Sequence, residues 1–189
     1  MTGFRKSTVL RFGTLELVRG DWRTYTQDLS NPLIPPKSDG QIVVSSVNIE
    51  ENGQRQPVNY VLPPGISRMF DSSQPQLLQQ NEQALSMKIT DLSPADARAV
   101  YKSTAYDLRR YKRLQMFAHA EAPIDESKTL SNGDFSVFIR LGSDYKNNYY
   151  EYEVPLDLTP HSTILYNTNN SADQEKVWPL NNTLNFKLE

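Results

Sequence analysis

His119 and Glu121, two residues apart, with Phe117 before them and Phe138 and Arg140 farther on, are the side chains of this sequence best placed to do chemistry. The chain has no cysteine and only one other histidine, His161, so a zinc site would need two or more carboxylates gathered about a single imidazole. No metal and no cofactor is expected on that donor set. Residues two apart on a strand are separated by roughly 6.6 Å, whereas directly opposed residues on paired strands stand about 4.5–5.5 Å apart. Partners for His119 and Glu121 are therefore expected across a sheet, where Arg140 and Glu151 or Glu153 are available. That reading makes the group a polar ladder, kept because an unpartnered buried imidazole costs about 1–3 kcal/mol. A second reading takes Phe117, His119, Glu121, Phe138 and Arg140, with Tyr150 or Tyr152, as a shallow binding face. Rings beside hydrogen-bonding groups suit a sugar, one ring meeting the pyranose face and the charged groups its hydroxyls.

Other chemistries lack their residues. The eight glycines form neither G-x-G-x-x-G nor a Walker loop, and no serine sits in a nucleophile elbow. Glu151 and Glu153 could suggest a glycosidase pair, but carboxylates two apart on a strand usually face water. The expectation is a protein that is not an enzyme. Asn169-Asn170-Ser171 and Asn181-Asn182-Thr183 match the glycosylation acceptor pattern, which is frequent by chance in Asn-rich loops.

The elements that must position these side chains alternate with period two. In 111–122, Leu114, Met116, Ala118 and Ala120 fall on one face and Arg113, Gln115, Phe117, His119 and Glu121 on the other. Segment 134–141 repeats the pattern after the turn Ser131-Asn132-Gly133, and 149–154 repeats it again before Pro155. Three consecutive strands with one apolar face each require a second layer to cover it. The expected fold is all-β: an antiparallel two-sheet sandwich of the galactose-binding-like, jelly-roll type with one or two short helices, forming a single domain over 1–189. Further strands are expected at 8–11, 14–18, 41–49, 57–62, 84–90 and 184–188, with 41–49 and 57–62 paired through the turn Glu51-Asn52-Gly53. Trp22 and Tyr25 read as core or edge cover. Ser93-Pro94-Ala95-Asp96 reads as a helix start, 63–83 as a long irregular loop, and 159–174 as a polar loop.

At 189 residues, with 38 % hydrophobic side chains and 12 prolines, the chain suffices for one domain with a modest core. Twenty Lys and Arg against 22 Asp and Glu leave a charge of −2, which asks for neither nucleic acid nor an anionic membrane surface. No apolar leader follows Met1, and no run approaches 18 apolar residues, so neither a signal peptide nor a transmembrane helix is expected. Alternation still in progress at 184–189 suggests a piece of something longer.

Several segments then resemble one family in the same order: Val58-Asn59-Tyr60-Val61-Leu62-Pro63-Pro64-Gly65-Ile66-Ser67-Arg68, then Gln76-Leu77-Leu78-Gln79-Gln80-Asn81-Glu82-Gln83-Ala84-Leu85, Asp96-Ala97-Arg98-Ala99-Val100-Tyr101-Lys102, and 111–121. Arg140-Leu141-Gly142-Ser143-Asp144 and Asn147-Asn148-Tyr149-Tyr150-Glu151-Tyr152 continue the likeness. It covers the chain from about Leu15 onward and resembles the SprA/Sov family of large cell-surface gliding-motility proteins, the outer-membrane translocons of the type IX secretion system. The resemblance implies a soluble piece of a very large barrel protein that passes folded proteins across the outer membrane. It implies as partners the remainder of the translocon chain, a PorV-like outer-membrane protein and secreted cargo, and it implies no catalysis, so no residue inherits a role. A barrel needs many lipid-facing strands, which this polar, loop-broken sequence does not supply. The expected function is a non-enzymatic domain of that translocon, associated with the outer membrane; the alternative is a stand-alone carbohydrate-binding module with a glycan as ligand.

Overall fold

The computed structural model describes residues 22–26, 28–29, 39–70, 79–104, 106–124 and 130–188, and the strands expected at 8–11 and 14–18 lie outside them. The described chain is mostly β: β1 (Arg23–Tyr25), β2 (Gln41–Asn48), β3 (Gln83–Thr90), β4 (Ala99–Tyr101), β5 (Arg113–Met116), β6 (Ser136–Gly142), β7 (Tyr149–Pro155) and β8 (Leu184–Lys187). Two short helices, α1 (Ile49–Asn52) and α2 (Ser171–Val177), and single 3-10 turns at Leu108–Arg110 and Leu180–Asn182 complete it. The strands form four antiparallel ribbons of two strands each, β1–β4, β2–β3, β5–β8 and β6–β7.

Two pairings differ from expectation. β2 pairs with β3, from Gln41 opposite Thr90 to Asn48 opposite Gln83, and not with 57–62. The cause lies at Asn48, which is buried and ends the strand: its side chain accepts from Glu51 N–H and caps α1, while its own N–H donates to Asn52 Oδ1. The chain therefore leaves β2 as a helical turn, and 57–62 passes into the core instead of returning along the strand. β5 ends at Met116 and pairs with β8, Leu114 opposite Phe186 and Met116 opposite Leu184. The expected three-strand meander is thus reduced to its second half, the β6–β7 hairpin, with Phe138 opposite Glu153 and Arg140 opposite Glu151. The turn into β6 does form: Asp134 N–H donates to Ser131 O at 3.2 Å, with Gly133 at φ +83°, where a side chain would be strained. At the far end Gly142 lies opposite Tyr149, and a Cβ there would fall 2.0 Å from the Asn148 carbonyl oxygen.

The helix start expected at Ser93 is a turn. Asp96 N–H donates to Ser93 O and Ala95 takes φ +61°, which interrupts any helix. Conversely α2 occupies the end of the expected 159–174 loop, capped by Asn170, whose side chain accepts from Ala172 N–H. Trp22 is 48 % exposed, so it is not core; Tyr25 does provide cover, its ring meeting those of Tyr101 and Tyr145.

The core sits where irregular backbone meets α2. Val58, Tyr60, Val61, Tyr166, Val177 and Trp178 are buried together, with Val47, Ile49, Leu62, Ala84 and Phe117 packed against them. Hydrogen bonds usually supplied by a sheet come here from side chains. Asn59 both donates to Tyr166 O and accepts from Tyr166 N–H, and Asn182 does the same for Asp157.

Candidate functional site

Beyond Met116 the chain leaves the β5–β8 ladder and carries Phe117, His119 and Glu121 into the core margin. The Phe117 and His119 rings meet Trp178 edge to face at centroid distances of 6.4 and 5.8 Å. His119 Nδ1 stands 2.8 Å from the Val177 carbonyl, which can only accept, so Nδ1 carries a proton and donates it. Thr159 Oγ1 lies 3.0 Å from the same nitrogen, and Thr159 N–H donates to Ala120 O, fastening this strip to the chain before α2. The other ring nitrogen, Nε2, is 3.5 Å from Glu121 Oε2.

Glu121 has its stronger partner elsewhere. Arg55 grips it with both terminal nitrogens, at 2.5 and 2.7 Å, from a position 66 residues earlier in the chain. Burial alone would raise the Glu121 carboxyl; hydrogen bonds from His119 and Arg55 outweigh it and bring the pKa down to about 2. Glu121 is therefore a carboxylate at neutral pH, with its oxygens already held.

Phe138 and Arg140 belong to a second group, on the β6–β7 ribbon. Arg140, expected as a partner of His119 or Glu121, instead pairs with Glu151 directly across the ladder, and its Nη1 donates to the carbonyls of Tyr145 at 3.1 Å and Leu29 at 3.2 Å. Its guanidinium lies 4.4 Å from the Tyr149 ring centroid and 5.4 Å from that of Phe138. The neighbouring loop is shaped by Asp144, whose Oδ1 accepts from the backbone N–H groups of Lys146, Asn147 and Asn148 and whose Oδ2 accepts from the Asn148 amide. Those bonds hold the Asp144 carboxyl well below the usual range. The loop presents Tyr145 to Tyr25 and Tyr101, with centroids 6.4 and 5.6 Å away.

The five side chains expected on one sheet face thus divide by partner. Phe117, His119 and Glu121 meet Trp178, Thr159 and Arg55, whereas Arg140 lies against the rings of Phe138 and Tyr149 and bonds to Tyr145 and Glu151. Tyr150 and Tyr152 sit opposite Leu141 and Ile139, on the other side of the ribbon from Arg140, and Tyr152 stacks on Phe186 at 4.9 Å. Arg55, Thr159 and Trp178 were not singled out as partners from sequence; only closure of the fold brings them near. A shallow surface depression of about 290 Å³ is lined by Lys102, Ser103, Thr104 and Tyr106, and by none of the five. Among the described residues no cluster of three or more His, Asp or Glu is placed to hold a metal ion, and no helix is long and apolar enough to cross a membrane.

A family model, SprA_N, described as a motility related/secretion protein, matches residues 1–189. No curated protein sequence gives a significant match.

Proposed function

Because the chain belongs to the SprA_N family of motility related/secretion proteins, we propose that it is a non-enzymatic domain of the type IX outer-membrane translocon, serving protein export and gliding motility. The observation that carries this reading is the family match along all 189 residues. It is supported by the way the polar side chains are used. Arg55, Glu121, His119 and Thr159 tie three separate stretches of chain together, as a scaffold would, and leave the Glu121 oxygens engaged. In this reading the domain lies at the outer membrane and contacts the rest of the translocon chain, a PorV-like protein and secreted cargo. The ribbons stack as a two-layer sandwich of jelly-roll type, a placement supported by Tyr152 of the β6–β7 ribbon resting on Phe186 of the β5–β8 ribbon.

The test is genetic and biochemical. Cells whose gene lacks this segment should lose secretion and spreading, and a photo-cross-linker on its exposed face in the intact protein should capture the PorV-like partner or cargo. Undiminished secretion and spreading would remove the reading. Saturable sugar binding on a glycan array, abolished by Phe117→Ala or Arg140→Ala, would replace it with a carbohydrate-binding module, and glycoside turnover dependent on Glu151 or Glu153 would replace it with an enzyme.

A further inference from the structure

The chain's charge of −2 is an average over an uneven surface. Arg109, Arg110, Lys112 and Arg113 follow one another within five residues and all are exposed, Arg109 and Arg110 almost fully. One carboxylate, Asp107, serves both arginines of the 3-10 turn, bonding Arg109 in a fork and lying 3.7 Å from Arg110. The fold then adds a cation from far along the chain. In the β5–β8 register Arg113 stands directly opposite Lys187, both exposed, and Leu188 N–H donates to Lys112 O beside them. Opposed residues of an antiparallel pair point to the same side, and like charges placed so repel. Among the described residues Lys112, Arg113 and Lys187 have no ion-pair partner. Among the described residues five cations against one carboxylate therefore crowd one end of a ribbon, at a cost to the fold that an outside anion would relieve.

Tyr111 lies between these cations in the chain and is 51 % exposed, and Tyr106, three residues before the first of them, is 68 % exposed. A tyrosine ring half out of the protein suits the headgroup level of a bilayer, with its body in the apolar margin and its hydroxyl in water. We propose that this end of the β5–β8 ribbon, with Arg109, Arg110, Lys112, Arg113 and Lys187, docks on an anionic phospholipid surface, with Tyr111 entering the headgroup layer. The strip is open and follows an edge, so it matches an extended surface of phosphates better than a single small anion. Juxtaposed cations add their attractions to such a surface, and the attraction falls away within a Debye length. The choice of a lipid surface over nucleic acid rests on membership of a motility and secretion family; it does not depend on the translocon reading.

Sedimentation with vesicles tests it. The intact protein should pellet with vesicles of phosphatidylglycerol and phosphatidylcholine in equal parts, stay in solution with phosphatidylcholine alone, and be released by high salt. Arg110→Glu with Lys112→Glu should lower the partition coefficient by more than about tenfold. Arg113→Glu separates docking from folding, because it sets opposite charges across the ladder: binding should fall while the melting temperature stays level or rises. Arg113→Lys should bind as the parent does. Equal sedimentation with both vesicle types, or charge reversal without effect, would overturn the proposal. So would displacement by single-stranded RNA at phosphate concentrations below those of the vesicles, which would assign the strip to nucleic acid.

Discussion

Around Trp178 the backbone is irregular and the side chains are dry; along the β2–β3 ribbon the ladder runs unbroken for eight residue pairs and most side chains are wet, the buried exception being Asn48 at its end. Val58 and Val61, in a stretch with no ladder partner, are 1 % and 0 % exposed, whereas Leu85 and Met87, on regular strand, are 40 % and 41 % exposed. Ile42, Val44, Leu85, Met87 and Ile89 share one face of that ribbon. Backbone regularity and burial have parted company, and stability follows burial. The irregular region can afford its lack of a sheet because Asn59, Asn182 and the Trp178 indole, which donates to Val61 O at 2.8 Å, satisfy the backbone that strands would otherwise pair.

Trp178→Ala should break this contrast most severely, with a loss of about 3–5 kcal/mol in urea or thermal unfolding. Its ring meets Tyr60, Phe117 and His119 at once. A loss below about 1 kcal/mol would show that the core lies elsewhere. Asn59→Ala ranks next, at about 1–3 kcal/mol for each Tyr166 backbone group it strands; faster amide exchange at Tyr166 is the direct readout.

Acid sharpens the comparison through Glu121. Its carboxyl titrates at about 2 in the folded chain, against 4.5 ordinarily, so between these values the unfolded chain binds the proton and the folded chain does not. Stability from this group is complete above about 4.5 and is lost as the pH falls toward 2. Glu121→Gln should flatten that decline and cost about 1–2 kcal/mol at neutral pH, less than the shift alone implies, because Arg55 is 39 % exposed and water screens the pair. An unchanged acid profile would exclude Glu121 as its source. Met87→Ser, on the exposed face of the ribbon, is expected to cost least, below about 1 kcal/mol; a loss as large as that of Trp178→Ala would mean that the face is covered.

What the sequence made legible was local. Alternation located β2, β3, β6, β7 and β8, and Ser131-Asn132-Gly133 gave a real turn, because each depends on neighbouring residues alone. Pairing was not legible. Nothing within 41–49 indicates that its partner lies at 83–90 and not at 57–62, since both candidates are β-rich and only the cap at Asn48 decides. β5 likewise looked longer than it is: Phe117, His119 and Glu121 keep the period of a strand while their contacts are those of a core margin. Asn170-Ser171-Ala172-Asp173 carried a cap followed by an acid in the first turn, the signature of α2, but the surrounding Asn-rich chain made it read as loop. At the site the same limit applies. Arg140 with Glu151 is a cross-strand pair and could be anticipated, whereas Arg55 with Glu121 joins segments that share no element.

Gly142 carries one more consequence. It is exposed, and surface positions ordinarily accept most substitutions; yet the space a methyl group would need is already filled by the carbonyl of Asn148 and the Cα of Tyr149. Adding that methyl would prise the hairpin open at the end where Asp144 gathers its amides and Tyr145 meets Arg140. A hydrogen atom in the open thus governs a joint between distant stretches, and solvent access is a poor guide to how freely this chain can vary.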